Sequence, residues 1–118
     1  MENGRQRVVV GVNGSVGSLA ALRRGVAEAR SRDAVLHAVL AWTPPGGDGV
    51  GRRTPCPPVL LLDWQRDALR RLRTAWDDAM GGVPQDLDVR GLAIRGPAGE
   101  ALLQVADQES DLLVVGGG

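Results

Sequence analysis

Two short glycine-containing segments are the parts of this sequence whose residues could bind an anion. Residues 13–15 (Asn-Gly-Ser) follow the apolar run 8–12, and residues 116–118 (Gly-Gly-Gly) follow the apolar run 112–115. A glycine-rich turn directly after a buried strand exposes backbone N–H groups, which bind phosphate oxygens. Asn13 adds a side-chain amide that both donates and accepts hydrogen bonds. The two segments therefore predict a phosphate site built largely from backbone.

Each segment also has a purely structural interpretation. Asn13 tolerates the tight turn into Gly14, and Ser15 is a good N-cap for a following helix. For residues 116–118, a frayed end of the chain is the preferred interpretation. Both interpretations remain open from these residues alone.

The basic residues and the sulfur and imidazole groups exclude several chemistries. All 14 basic residues are arginine, so a Walker-type phosphate loop and a Schiff-base lysine are excluded. One histidine, His37, and one cysteine, Cys56, are too few for a zinc site of the usual kind, and we predict no metal ligands. We expect His37 to be a hydrogen-bonded core residue. No nucleophile–base pair or carboxylate dyad is recognisable, so we predict no catalytic residues and no enzyme.

Composition limits the partners and the location of the protein. The formal net charge is zero and 43% of the residues are apolar, as in ordinary globular proteins. No apolar run reaches the roughly 18 residues of a membrane span, so no membrane association is expected. The arginines have no interleaved aromatic residues, and we predict no nucleic-acid partner. A single cysteine forms no internal disulfide, which favours a cytoplasmic location.

The elements that position the two segments follow from apolar patterning. A loop is expected at residues 43–58, which hold five of the seven prolines. Strand 86–94 is the most polar and should lie near a sheet edge. The pattern predicts strands at residues 8–12, 34–42, 86–94 and 112–115, and helices at about 16–32, about 61–80 and from Pro97 onward.

Strands and helices alternate along this sequence in the order βαβαβαβ. Such alternation is typical of an α/β fold with a parallel sheet covered by helices on both faces. Ligands in these folds bind beyond the carboxyl ends of the strands. The predicted site segments and residues 41–43 all lie at such ends, so we expect them to be brought together.

The first and last blocks of the sequence resemble the universal stress protein family. The blocks are VVVGVNGSVGSLAALRRGVAEA, from residue 8, and GPAGEALLQVADQESDLLVVG, from residue 96. The resemblance implies a three-layer Rossmann-like sandwich with strand order 3-2-1-4-5. It also implies that residues 1–118 form a single domain that is incomplete at the C-terminus and lacks the fifth strand.

Many members of the family bind ATP, so the resemblance implies an adenine nucleotide, with Mg²⁺, as a possible ligand. The family's aspartate at the end of the first strand corresponds to Asn13, the residue beside adenine to Ala41, and the first glycine of its phosphate motif to Gly116. Asn13 departs from the pattern because it has no carboxylate, and the later motif glycines are absent. The binding residues implied are Gly11, Val12, Asn13, Ala41, Val115, Gly116, Gly117 and Gly118.

Two other functions are compatible with the resemblance. Asn13 and the interrupted glycine motif favour a nucleotide-independent, oligomeric interaction module in the stress response. An ATP-using transferase or ligase of the same superfamily is disfavoured, because its catalytic residues are missing. Whichever function holds, an apolar edge strand at 112–115 predicts self-association, as a homodimer or otherwise.

Overall fold

The computed structural model describes residues 6–44 and 58–116. The described elements alternate as predicted, and the α/β class is confirmed. They are β1 (Arg7–Gly11), α1 (Val16–Arg32), β2 (Val35–Trp42), α2 (Pro58–Met80), β3 (Val89–Arg95), α3 (Ala98–Val105) and β4 (Leu112–Val114).

Three sequence predictions are corrected or fall outside the described residues. The loop predicted over 43–58 lies mostly outside them, at 45–57, and its last residue, Pro58, instead begins α2. Proline is favoured at the first position of a helix, because its missing N–H has no partner there. The strand expected from residue 86 begins at Val89. Gly117 and Gly118 also lie outside the described residues.

The four strands form one parallel sheet in the order β3-β2-β1-β4. Val9 of β1 is aligned with His37 of β2 on one side and with Leu113 of β4 on the other. The order agrees with the first four strands of the order implied by the resemblance. The polar strand β3 lies at an edge, as its composition predicted.

The central strand β1 is buried on both faces. Val8 and Val10 belong to a large apolar cluster shared with α1 and α2, whereas Val9 belongs to a smaller cluster shared with α3. All three valines have no exposed surface. A strand between two helical layers is apolar at successive positions rather than at alternate ones, which accounts for the continuous run in the sequence and establishes the three-layer arrangement.

Helix α1 is fixed at both ends by local hydrogen bonds. The Ser15 hydroxyl accepts from the Ser18 amide, as an N-cap does. At the other end Asp33 adopts a left-handed conformation, and its amide donates to the carbonyls of Ala29 and Arg30. The N-cap prediction for Ser15 is confirmed, and the start of α1 is therefore well defined beside the predicted site.

The tryptophans lie in the layer between the sheet and α1 and α2. Trp42 and Trp76 are buried there, and Trp64 packs against the same cluster. The Trp42 indole donates to Gln65 Oε1 at 2.6 Å, and Gln65 in turn donates to the Ala93 carbonyl at 3.0 Å. This chain of hydrogen bonds joins α2 to β2 and β3 and satisfies the buried indole N–H.

The amino ends of β1 and β4 are joined by charged groups. The Arg7 guanidinium donates to both carboxylate oxygens of Asp111 and, at 2.6 Å, to Asp107. Asp111 also accepts from the Gln108 amide, and its side chain is only 2% exposed. The bidentate geometry fixes the connection between α3 and β4.

His37 differs from its prediction as a hydrogen-bonded core residue. Its Nδ1 atom is buried and has no hydrogen-bond partner among residues 6–44 and 58–116. Burial lowers the pKa of His37, and the positive charges of Arg7 and Arg90 lower it further. The imidazole is therefore stabilised in its neutral form within the face covered by α3.

Candidate functional site

A cleft lies at the carboxyl ends of β1, β2 and β4. Its volume is about 190 Å³, below the roughly 300–1,000 Å³ of pockets that enclose a whole drug-sized ligand. It therefore encloses one flat group, with any remainder of a ligand outside. The cleft is lined by Gly11, Val12, Asn13, Ser18, Val39, Ala41, Ala98, Leu102, Val115 and Gly116.

Six of the eight residues predicted from the sequence come together in this cleft. They are contributed by the ends of three strands that are far apart in sequence, as the parallel topology predicts. Gly117 and Gly118, the other two, fall outside the described residues. The six are Gly11, Val12, Asn13, Ala41, Val115 and Gly116.

The turn after β1 is fixed by the side chain of Asn13. Its Oδ1 accepts from the Ser15 amide at 2.9 Å, and its own backbone N–H donates to Ser18 Oγ at 3.2 Å. Gly14, between them, has a φ of +82°, a conformation that glycine adopts without strain. The side-chain oxygen of Asn13 therefore has a structural role in the tight turn into Gly14, as the purely structural interpretation of this residue expects. Its Nδ2 makes no hydrogen bond within the described part of the chain and is left to donate to a ligand.

Gly116 packs directly on the start of α1. A β-carbon built on Gly116 would lie 2.8 Å from the Ser18 nitrogen and would overlap the carbonyl of Gly17. Because those neighbours are backbone atoms, they have no side-chain freedom with which to move away. Gly116 is therefore required for a close approach that brings the end of β4 next to the amides of α1.

Leu102 of α3 forms the wall opposite the strand ends. A β-carbon on Gly11 would lie 3.1 Å from Leu102 Cδ1, so the leucine packs over bare backbone. Ala41 and Val39 supply apolar surface on the β2 side. The result is an apolar slot, suited to a flat ring.

Four lining residues were not among those predicted: Ser18, Val39, Ala98 and Leu102. Ser18 could have been found as a polar residue three positions after the N-cap, at a position where the helix packs inward. Leu102 belongs to an inward helical face that the sequence shows. Nothing in the sequence distinguishes a wall of the cleft from ordinary core on that face.

The electrostatics of the cleft come from backbone rather than from charged side chains. None of the described lining residues is ionisable. The first turn of α1 packs against Gly116, and it contains no acidic residue. The free N–H groups and the positive end of the helix dipole favour an anion.

The lining of the cleft offers few ligands for a metal ion. Among the described residues, no three His, Cys, Asp or Glu side chains are arranged to hold a metal ion. The cleft provides one amide and one hydroxyl, whereas Mg²⁺ is usually bound through carboxylates and substrate phosphates. The described side chains therefore do not fit a protein-held Mg²⁺.

Within residues 6–44 and 58–116, no helix is both long enough and apolar enough to cross a bilayer.

Comparisons with known proteins agree with this architecture. The model of the universal stress protein family matches residues 4–117. A universal stress protein whose crystal structure was determined in complex with cAMP is 28% identical, with a TM-score of 0.52, over 92% of this chain and 69% of that one.

Two more distant structures support the fold. The universal stress protein UspA from Lactobacillus plantarum is 20% identical, with a TM-score of 0.62, over 93% of this chain and 75% of that one. A family protein from Burkholderia pseudomallei is 19% identical, with a TM-score of 0.59, over 94% and 80% of the two chains. No curated protein matches this sequence.

Proposed function

Because this chain belongs to the universal stress protein family, we propose that it is a regulatory module that binds an adenine nucleotide in the cleft. The observation that carries the proposal is the meeting of Asn13, Ala41 and Gly116 around one apolar slot beside the start of α1. The 28% identical universal stress protein in complex with cAMP supports the same class of ligand. ATP is the ligand we propose first.

The groups of the nucleotide have separate partners in this proposal. The base packs between Ala41 and Leu102, where it would be removed from water on both faces. The ribose lies beside the Asn13 amide, whose Nδ2 donates to it. The phosphates extend past Gly116 toward the amides at the start of α1, where an anion is favoured. Any Mg²⁺ would be held by the phosphates themselves.

We propose binding without turnover. The described lining residues include no general base, no carboxylate and no group that would activate water, and general acid–base catalysis needs such a group within hydrogen-bond reach. The nucleotide would then act as a signal, because its presence in the cleft would order the strand ends.

Calorimetric titration with Mg-ATP and with cAMP tests the proposal. Ala41→Leu adds atoms inside the slot and should abolish binding. Ala20→Leu makes the same change on an exposed position of α1 and should leave the affinity unchanged. Absence of binding by the unmodified chain to either nucleotide, or equal binding by the Ala41→Leu variant, would refute this site.

A nucleotide-independent interaction module is the second candidate, and the edge of the sheet favours it. The outer side of β4 pairs with no strand within the described part of the chain. Leu113 is 40% and Val115 is 62% exposed there, beside a groove of about 350 Å³ flanked by Arg24, Glu28 and Arg32. An apolar edge of this kind pairs readily with another chain, which would give a homodimer. Leu113→Lys should abolish such a dimer in light scattering without affecting nucleotide affinity.

A further inference from the structure

Helix α2 carries a second stripe of residues that its own fold does not use. The inward face of α2 is occupied by Ala68, Leu72 and Ala75, which are buried against the sheet and α1. A different set recurs three or four residues apart, and therefore along one line of the helix surface. This stripe, which we call the α2 stripe, consists of Leu62, Arg66, Leu69, Arg73, Asp77 and Met80, all of them exposed.

The apolar members of the α2 stripe are exposed to solvent. Leu62 is 56%, Leu69 is 43% and Met80 is 37% exposed. They lie in one row of the helix but are separated by Arg66 and by Arg73 with Asp77. The stripe is therefore a mixed apolar and charged surface, a composition found in interfaces that form reversibly.

The charges within the α2 stripe also lack partners. Arg66 and Asp77 make no ion pair with any residue in the ranges 6–44 and 58–116, although neighbouring positions on the same helix are paired. Arg70 and Arg71 both approach Asp67, at 3.4 and 3.3 Å. Within the described part of the chain, the stripe thus presents an unpaired cation near its start, a second one (Arg73) near its middle and an unpaired anion near its end.

This arrangement is complementary to itself when the helix direction is reversed. If two α2 helices cross antiparallel midway between Leu69 and Arg73, Leu62 meets the partner's Met80. Arg66 then lies within about one residue, or 1.5 Å of helix rise, of the partner's Asp77. Both members of this pair lie on the same side of the stripe, so a two-fold axis brings them together twice.

We propose that the α2 stripe is a contact surface for a second copy of this chain, arranged as an antiparallel pair of α2 helices. The apolar residues bury each other at the two ends, and two Arg66–Asp77 ion pairs set the register. This surface lies on α2, away from the β4 edge and from the nucleotide cleft. It is independent of both.

The proposed pair is transient because its centre is unfavourable. The two Arg73 side chains come near each other at the crossing, with their stems on Leu69 and their charges in opposition. One helical stripe also buries less than the roughly 1,600 Å² of a standard stable interface. We therefore expect a dimer that forms only as the protein concentration rises.

Sedimentation equilibrium of the whole chain over a wide concentration range tests the proposal by charge exchange. Arg66→Asp and Asp77→Arg should each weaken dimerisation by about tenfold, because each places like charges opposite one another. The double variant Arg66→Asp/Asp77→Arg should restore it. Arg73→Leu should strengthen the dimer, since it removes the central repulsion and adds apolar surface.

Arg71→Asp is the matched control, because it reverses a charge on the same helix away from the stripe and should have no effect. Circular dichroism verifies that each variant is folded. A chain that stays monomeric at all concentrations, a double variant that stays monomeric, or an Arg71→Asp effect equal to that of Arg66→Asp would overturn the proposal. So would a dimer that responds to Leu113→Lys but not to the α2 variants.

Discussion

Gly25 of α1 lies so close to Val10 of β1 that a β-carbon on the glycine would overlap Val10 Cγ2. Helix and strand thus meet with bare backbone on one side of the contact. Glycine within a helix costs about 0.5–1 kcal/mol relative to alanine. The close approach of α1 to the central strand offsets that cost, because it removes Val10 completely from solvent.

Gly25→Ala should lower the free energy of unfolding by about 1–3 kcal/mol, because the added methyl group overpacks the contact with Val10. Adding Val10→Ala makes room for the new methyl group. The double variant should therefore lose less free energy of unfolding than the two single variants lose in total. Gly99→Ala is the control: its β-carbon meets no atom within 4 Å, and it should stabilise α3 by about 0.5–1 kcal/mol. Urea denaturation of the unmodified chain, the two single variants, the double variant and Gly99→Ala measures these effects. A neutral Gly25→Ala would contradict the packing described.

The side chain of Asn13 should have separable structural and ligand-binding roles. Asn13→Asp keeps the oxygen that accepts from Ser15, so stability should be unchanged, whereas Asn13→Ala should lose about 0.5–1.5 kcal/mol. For ATP, a carboxylate accepts charge-assisted hydrogen bonds from the ribose hydroxyls, worth about 1 kcal/mol more than neutral ones. Calorimetry should therefore show ATP binding about fivefold tighter in Asn13→Asp. Weaker binding would mean that losing the Nδ2 donor to the ribose outweighs gaining a charged acceptor.

Acid should destabilise the protein through Asp111. Burial raises the pKa of Asp111, but the hydrogen bonds from Arg7 and the Gln108 amide outweigh it, and the pKa lies below 3.8. A carboxyl group with a depressed pKa stabilises the fold above its unfolded pKa, and that stability is lost as the pH falls through the folded pKa. Asp111→Asn should lower the free energy of unfolding by about 1–3 kcal/mol at neutral pH. It should also make that free energy depend less on pH below 3.8.

Denaturation at a series of pH values checks this expectation. Asp86→Asn serves as the control, since Asp86 pairs with Arg30 on the surface at 2.8 Å with both side chains half exposed or more. Exposed pairs contribute little, so its effect should be clearly smaller. Equal effects of the two substitutions would argue against a special role for the Arg7–Asp111 contact.

His37 should make stability depend on pH in a separate range. Burial and the charges of Arg7 and Arg90 lower its pKa from 6.5, against smaller opposing effects of Asp111 and Asp88. The unfolded chain therefore binds the proton more readily, and stability falls as the pH drops below 6.5. His37→Val should remove this dependence and, by eliminating an unpartnered buried nitrogen, stabilise the fold by about 1 kcal/mol above that pH. A destabilised His37→Val protein would show that Nδ1 is satisfied in solution.

The sequence was sufficient to predict an element where a single physical effect determines which residues the element contains. Valines at successive positions of β1 follow from burial on both faces, and the polar β3 follows from its edge position. The start of β3 was placed too early because Asp86 and its neighbours looked extended, whereas Asp86 instead pairs with Arg30 of α1. That contact joins residues distant in sequence, so no local pattern could show it.

The candidate site was predictable to the extent that strand ends define it. Parallel topology brings Asn13, Ala41 and Gly116 to the carboxyl edge of the sheet, regardless of how the helices pack. The wall formed by Leu102 depends on the position at which α3 packs on the sheet. The periodic pattern of apolar residues in α3 does not specify that position. The unpartnered nitrogen of His37 was missed for the same reason, because a strand position predicts burial but not the groups that face it.

The position of the three tryptophans determines what optical spectroscopy will detect. The chain has no tyrosine and no phenylalanine, so its near-ultraviolet emission arises from Trp42, Trp64 and Trp76 alone. All three belong to the layer of α1 and α2, whereas Leu102 and Ala41 line the cleft from the other face of the sheet. Intrinsic fluorescence should therefore follow the loosening of one layer closely during unfolding. It should stay nearly silent when a molecule enters the cleft, so a flat emission titration would carry no information about binding.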